Sequence, residues 1–149
     1  MSSDWDSLQE MVITGMRKVY SETVIDYAMN PRNLGRLDDA DGFARVTGSC
    51  GDTMEMWLKV RDNTITGATF LTDGCATTVV AGGMVTELCR GKSVAQALRI
   101  SQLDVLDALG GLPEESHHCA LLAANTLKEA VRDYLALKKE PWKKAYKKY

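Results

Sequence analysis

The stretch from Phe70 to Leu88 constrains this chain more than any other, because two kinds of secondary structure meet within it. β-Branched and aromatic residues predict a strand that stops at Asp73-Gly74, and a run of small residues after Cys75 predicts a helix. Cys75 therefore falls at a helix N-terminus, where unpaired N–H groups and the helix dipole favour the thiolate over the thiol. We expect a reactive or metal-bound sulfur there, the alternative being a buried, inert cysteine.

Cysteine also occurs at two other predicted turns. Cys50-Gly51-Asp52 precedes a strand, and His118-Cys119 begins the last helix. Residues two apart on a strand share a face, so Cys50 and Asp52 are expected to reach one ion across the glycine. Thiolates select zinc, copper(I) and iron–sulfur units, whereas a carboxylate is a poorer partner for these soft centres and would hold them loosely, as delivery requires. The pattern predicts a metal site built from Cys50, Asp52, Cys75, His118 and Cys119.

Spacing alone leaves the kind of site open. The three cysteines lie 25 and 44 residues apart, and compact Cys-x-x-Cys pairs are absent. One rival is a structural or storage zinc module, although the Asp52 ligand argues against permanent binding. The other is a transferase with Cys119 as nucleophile and His118 as base, a poor geometry because neighbours on a helix point apart. His118 fits a ligand and a supporting role equally, Cys89 is expected to be buried, and His117 is expected to be exposed.

Length and composition predict one domain over residues 1–149, with 45% hydrophobic and 26% charged residues. A net charge of −2 and a pI of about 5.7 offer no positive field for nucleic acid. No apolar run approaches the ~18 residues of a membrane span, and the acidic first 20 residues argue against a secretory or transit peptide. Four cysteines in such a chain favour metal binding over disulfides. We expect a cytoplasmic protein without a nucleic-acid or membrane partner.

Helical and strand-like periods divide the chain. Apolar residues three and four apart predict an amphipathic helix over residues 4–19, and its acidic polar face suits packing on the domain or on a second copy better than a membrane. A second helix ends at Asn30-Pro31, because the residue before proline avoids the α region. Strands are predicted at 43–47, 54–60 and 64–72, and helices at 75–89, 93–100, 101–109 and 118–139. The fold class is α+β: a small three-stranded antiparallel sheet with helices packed on one face, plus an extra N-terminal helix.

A basic tail rich in aromatic residues occupies 138–149. Such a tail is compatible with RNA, but no other basic surface accompanies it. A solvated end or an acidic protein partner is the better interpretation.

Several separate motifs between Tyr20 and about Tyr134 occur together in the order and spacing of one known family. They are Tyr20-Ser21-Glu22 with Asn30-Pro31-Arg32-Asn33-Leu34-Gly35, Cys50-Gly51-Asp52, Thr72-Asp73-Gly74-Cys75 with Thr86-Glu87 and Gly91-Lys92, and Leu112-Pro113 before His118-Cys119. Over about three quarters of its length the chain resembles the IscU/NifU-type iron–sulfur cluster assembly scaffolds. The longer gap between second and third cysteines that marks the zinc-dependent SufU branch is missing, which favours the IscU-like branch.

The resemblance implies a scaffold and not an enzyme. It implies that sulfur comes from a pyridoxal-phosphate-dependent cysteine desulfurase, with Cys119 as the sulfur acceptor. A [2Fe-2S] cluster would be built from iron on Cys50, Cys75 and Cys119, with Asp52 or His118 completing the site, and passed to apo-proteins. Zinc often occupies the same ligands in this family.

Two departures from the family pattern limit what the resemblance implies. The Leu-Pro-Pro-Val-Lys segment recognised by the family's Hsp70-type chaperone here reads Leu112-Pro113-Glu114-Glu115-Ser116, which makes handling by a dedicated chaperone doubtful. The helix over residues 4–19 is extra, and it is compatible with a homodimer as well as with docking inside one chain.

Overall fold

A computed structural model describes residues 2–142 of the chain. Two helices precede the three strands, and the helices that follow the strands include one of 23 residues. In chain order the elements are α1 Ser2–Arg17, α2 Glu22–Met29, β1 Gly42–Thr47, β2 Thr53–Arg61, β3 Thr64–Thr72, α3 Ala76–Cys89, α4 Val94–Ala97, α5 Gln102–Leu109, a 3-10 turn Glu114–Ser116 and α6 His117–Lys139. The fourth helix is shorter than the helix predicted at 93–100. Within residues 2–142, no helix has the length and apolar character needed to cross a bilayer.

The sheet has the order β1-β2-β3 and is antiparallel throughout. Ala44, Met56 and Phe70 stand in one row across the three strands, and all three are buried. The β2–β3 hairpin turns at Asp62 and Asn63, which both have positive φ values, as a two-residue hairpin with the twist of its strands requires. The short gap between the strands predicted at 54–60 and 64–72 is thus a tight hairpin turn.

Helices α3 and α6 cover the buried face of the sheet, α3 against β3 and α6 against β1 and β2. Helix α3 is buried on several sides, and it lies so close to the sheet that a Cβ on Gly82 would come within 2.5 Å of the Phe70 ring. On the opposite sheet face, Trp57 packs against Phe43 with ring centroids 5.3 Å apart. The predicted α+β class, with helices on one face of a three-stranded antiparallel sheet, is confirmed.

The extra N-terminal helix is present. One of the two expectations was that its apolar face would pack on the domain, and most of that face is exposed instead. Helix α1 lies beside α2, while the side chains of Trp5, Leu8, Met11 and Val12 remain 51–72% exposed. The basic tail lies mostly outside the described residues, and of its lysines Lys138 donates to Asn63 Oδ1 at 2.8 Å.

Candidate metal site

The connection between β1 and β2 carries Cys50 and Asp52. It is closed by hydrogen bonds from the Gly48 N–H to the Asp52 carbonyl at 2.8 Å and from the Gly51 N–H to the Gly48 carbonyl at 3.1 Å. Gly51 has φ +91°, a conformation that glycine adopts without strain. Cys50 and Asp52 thus lie in a loop, and the prediction that a strand would align them is wrong.

The loop nevertheless brings both residues to His118, which comes from the first turn of α6. One ligand atom each from Cys50, Asp52 and His118 lies within 4.8 Å of the other two. Cys50 is exposed, whereas Asp52 and His118 are half-buried. This separation suits binding of a single ion by sulfur, oxygen and nitrogen.

Cys75 occupies the N-cap position of α3 and is exposed. Its Sγ lies 3.0 Å from the Thr77 hydroxyl. That hydroxyl is the main reason that the pKa of Cys75 falls to about 7, against the opposing effect of partial burial, and the Thr77 and Thr78 backbone N–H groups add to the lowering. The direction agrees with the thiolate expected at a helix N-terminus, although the largest cause is a side chain.

Cys119 is buried, with 1% of its surface exposed. Its Sγ lies 3.4 Å from each of the Thr77 and Thr78 hydroxyl oxygens and 3.6 Å from His118 Nε2. Burial raises the pKa of the Cys119 thiol, and the two threonine hydroxyls partly oppose that effect. Cys119 is therefore the protonated, enclosed thiol of the site, and Cys75 is the accessible one.

Thr78 connects the three chain segments that form the site. Its fully buried hydroxyl donates to Asp52 Oδ2 at 3.1 Å and lies within contact of the sulfurs of Cys119 and Cys75. A Cβ on Gly74 would come within 2.6 Å of the Thr78 hydroxyl and 2.8 Å of Asp52 Oδ2, so only glycine fits there. Sequence reasoning missed Thr77 and Thr78, and the available signal was a pair of threonines in the helix turn that follows Cys75.

All five predicted site residues lie together in this cluster, and their role as ligands remains a prediction. Cys89 lies at the other end of α3, fully buried, and burial raises its pKa to about 12, so the prediction of a buried residue is confirmed. The prediction that His117 is exposed is wrong: the residue is half-buried and its Nε2 lies 2.9 Å from the Leu112 carbonyl oxygen. The turn before α6 folds back onto this ring, which the helical angle between neighbours does not reveal.

The fold and the cluster define a class: small α+β proteins with a cysteine-rich site where a loop meets two helix N-termini. Comparison with known proteins identifies the family. Residues 19–141 match the sequence profile described as the NifU-like N terminal domain, and the chain belongs to that family.

Relatives with assigned names are similar over most of their length. Iron-sulfur cluster assembly scaffold protein IscU 1 of Archaeoglobus fulgidus is 44% identical over 117 residues, covering 78% of this chain and 76% of the relative. Iron-sulfur cluster assembly scaffold protein IscU of Escherichia coli K12 is 40% identical over 120 residues, covering 77% and 93%. The crystal structure of the N-terminal part of a NifU-like protein from Brucella abortus superposes with a TM-score of 0.63 at 21% identity, over 79% of this chain and 95% of that one, which supports the fold.

Proposed function

We propose that this chain is a scaffold on which an iron–sulfur cluster is assembled and from which it is transferred to apo-proteins. The observation that carries the proposal is a set of contacts that joins three chain segments. Cys75 and Cys119 both contact the Thr77 hydroxyl, and Cys119 lies 3.6 Å from His118, which stands close to Cys50 and Asp52. Two of the three thiols, Cys50 and Cys75, are at the surface. A permanent cofactor is usually enclosed, whereas a cargo must be reached by its donor and its acceptor. The names of the relatives agree with this role.

In this proposal Cys50, Cys75 and Cys119 hold a [2Fe-2S] cluster as cargo, and Asp52 or His118 supplies the fourth ligand. Iron and desulfurase-derived sulfur are the substrates, and apo iron–sulfur proteins are the acceptors. The chain itself catalyses no reaction, and we expect it to work in the cytoplasm. Because Glu114 and Ser116 stand where the family has its second proline and its lysine, we expect no stimulation of the scaffold-specific chaperone ATPase.

Sulfur reaches the scaffold as a persulfide. The Cys119 thiol first gives its proton to His118, whose Nε2 lies 3.6 Å from the sulfur. The resulting thiolate attacks the outer sulfur of the desulfurase persulfide, a new S–S bond forms on Cys119, and the desulfurase thiolate leaves. Cys119 is buried, so this route requires the site to open around it, whereas Cys75 is exposed and its pKa is lowered to about 7. Mass-spectrometric mapping of the persulfide without iron tests the assignment, and sulfur found on Cys75 alone would overturn it.

Anaerobic reconstitution with iron, cysteine and a desulfurase, followed by absorption spectroscopy and iron counting, tests the proposed function. We expect two iron atoms per site, and we expect Cys75→Ser to lose the cluster. Cys89→Ala is the matched control, because Cys89 is a free thiol of the same helix that lies outside the site. Equal loss in both variants, or no cluster in the wild type, would contradict the proposal.

Release of the cargo depends on the carboxylate. Asp52→Ala removes a hard ligand that exchanges readily from a soft centre, so cluster transfer to an acceptor should be slower than in the wild type. Transfer kinetics followed by circular dichroism measure this. Equal rates would show that Asp52 does not set the lability.

Zinc is the second candidate, because the atoms of Cys50, Asp52 and His118 lie close enough for one tetrahedral ion. The same ligands would then form a zinc-binding module or a zinc-dependent sulfur-transfer site. A colourless protein whose zinc does not exchange during reconstitution would favour this alternative. Exposure of Cys50 and Cys75 argues for exchange.

A further inference from the structure

Helix α1 presents an apolar face that no described part of the chain covers. Trp5, Leu8 and Val12 are each more than half exposed, and together with Gln9, Met16 and Met29 of α2 they line a groove of about 340 Å³. A helix of 16 residues is only marginally stable in water without tertiary packing. Grouped large apolar side chains at a surface mark an interaction site.

The face belongs to an element outside the family match, which begins at residue 19. A membrane is a poor partner, because the polar residues beside the face are acidic at Asp4, Asp6 and Glu10.

We propose that the α1 face pairs with the α1 face of a second copy of this chain, and that the two helices run antiparallel. Charge complementarity along the helix favours this pairing. Its first half carries Asp4, Asp6 and Glu10 and no basic residue, while Arg17 and Lys18 stand at its end. Antiparallel pairing sets each acidic half against the basic end of the other copy, whereas parallel pairing sets like charges together.

One register satisfies the apolar and the charged residues at once. With Val12 on the two-fold axis, Trp5 of one copy faces Val19 of the other and Leu8 faces Met16. The same register sets Asp4 beside Lys18 of the other copy, because both lie on the same side of the apolar face and about 3 Å apart along the axis. A two-fold interface is self-complementary in this way, because each contact occurs twice.

The pairing is expected to be weak. Sixteen residues span about 24 Å of helix, which places the interface at or below the ~1,200 Å² lower limit of stable complexes. Arg17 is already paired with Glu22 at 2.9 Å, so the exposed Lys18 supplies the principal cation. We expect a dissociation constant in the micromolar range.

Sedimentation velocity of the full chain between about 1 and 200 μM tests the proposal, with a monomer–dimer equilibrium expected. Val12→Asp should raise the dissociation constant by more than tenfold. Thr14→Asp is the matched control, because it adds the same charge on the same helix about 200° away from Val12. A monomer at every concentration, or equal loss in both variants, would overturn the proposal.

A charge exchange keeps the test valid even where Val12→Asp unfolds α1. Asp4→Lys alone should weaken the dimer, and adding Lys18→Asp should restore it. Failure of the double variant to recover would contradict the register. A dimer that disappears when residues 143–149 are deleted would instead assign the face to the basic tail and overturn pairing of the two helices.

Cross-linking distinguishes the two orientations. Val12→Cys should form a disulfide dimer on mild oxidation, mapped by peptide mass spectrometry because Cys50 and Cys75 are also exposed. Leu8→Cys should not, because the two copies of residue 8 lie about 12 Å apart along antiparallel helices, beyond disulfide reach. Equally fast cross-linking at residue 8 would show a parallel pair.

Discussion

The two ends of helix α3 carry the same residue types and use them in different ways. At the N-terminal end the Thr78 hydroxyl donates to Asp52 of the β1–β2 loop and Cys75 is exposed. At the C-terminal end Thr86 donates to the carbonyls of Gly82 and Gly83, and Cys89 donates to the Thr86 carbonyl. The Thr78 hydroxyl donates its proton to another chain segment, whereas Thr86 and Cys89 donate theirs within the helix itself.

The difference shows that burial alone does not identify a structural residue. Thr78 and Thr86 are both fully buried, yet their hydroxyls have different partners. The start of a helix has free N–H groups, whereas carbonyl oxygens near its end accept hydrogen bonds from nearby hydroxyl and thiol groups. Reactivity therefore concentrates at the first turn.

The largest expected contrast is thiol alkylation of the apo-protein at pH 7. Cys75, with a pKa of about 7, is about half thiolate, whereas burial raises the pKa of Cys89 to about 12 and leaves about one part in 10⁵ ionised. The more basic thiolate is intrinsically more nucleophilic, which offsets part of this ratio. Iodoacetamide labelling followed by peptide mapping should show Cys75 reacting more than ~10²-fold faster than Cys89. Comparable rates would remove the distinction between the two ends.

The second contrast concerns metal affinity. Thr78→Val keeps the shape of the side chain but removes the hydroxyl that orients Asp52, and loss of such a partner typically weakens binding about 10–100-fold. Cobalt(II) titration of the apo-protein, read from the thiolate-to-metal absorption, measures the change. Thr78→Ser should restore affinity, and Thr86→Val should leave it unchanged. An unaltered Thr78→Val titration would assign the Thr78 hydroxyl to packing only.

A smaller effect is expected in the pH profile of Cys75. The thiolate is the reacting form, so alkylation should rise with pH, by about tenfold from pH 6 to 8, and level off above pH 8. A thiol with an ordinary pKa rises by about 100-fold over the same interval. Thr77→Val removes the main cause of the lowered pKa and should move the midpoint to higher pH. A midpoint that stays in place would instead assign the lowering to the backbone N–H groups of the helix.

The smallest effect is one of stability at the other end of the helix. Thr86 also accepts a hydrogen bond from Asn33 Nδ2 at 3.0 Å, so Thr86→Val leaves one donor and two carbonyls with fewer partners. We expect the free energy of unfolding to fall by about 1–2 kcal/mol in urea titration. Thr86→Ser should recover most of it. Destabilisation by Thr86→Ser equal to that of Thr86→Val would point to lost methyl packing.

Local sequence patterns were enough to predict the three-stranded sheet and the position of Cys75 at a helix N-terminus. Alternation of Met54, Met56 and Leu58 predicts β2, and glycine with proline predicts the breaks. The sequence did not suffice for the short fourth helix or for the ring of His117, since these depend on how distant segments pack.

Thr77 and Thr78 illustrate the same limit inside the site. Each reads as an ordinary β-branched residue at the start of a helix. Their importance comes from Cys119, which is more than 40 residues later in the chain and touches both hydroxyls. Partners this distant become visible only in three dimensions.

The two sides of the site differ in how firmly the fold holds them. Cys119 and Thr78 belong to helices anchored in the core, whereas Cys50 and Asp52 ride on a five-residue connection closed by two backbone hydrogen bonds. Amide hydrogen exchange should therefore find Gly48–Asp52 opening without global unfolding. Opening of this loop would release the cluster from one side of the site, while the rest of the molecule stays folded and can bind a new cluster.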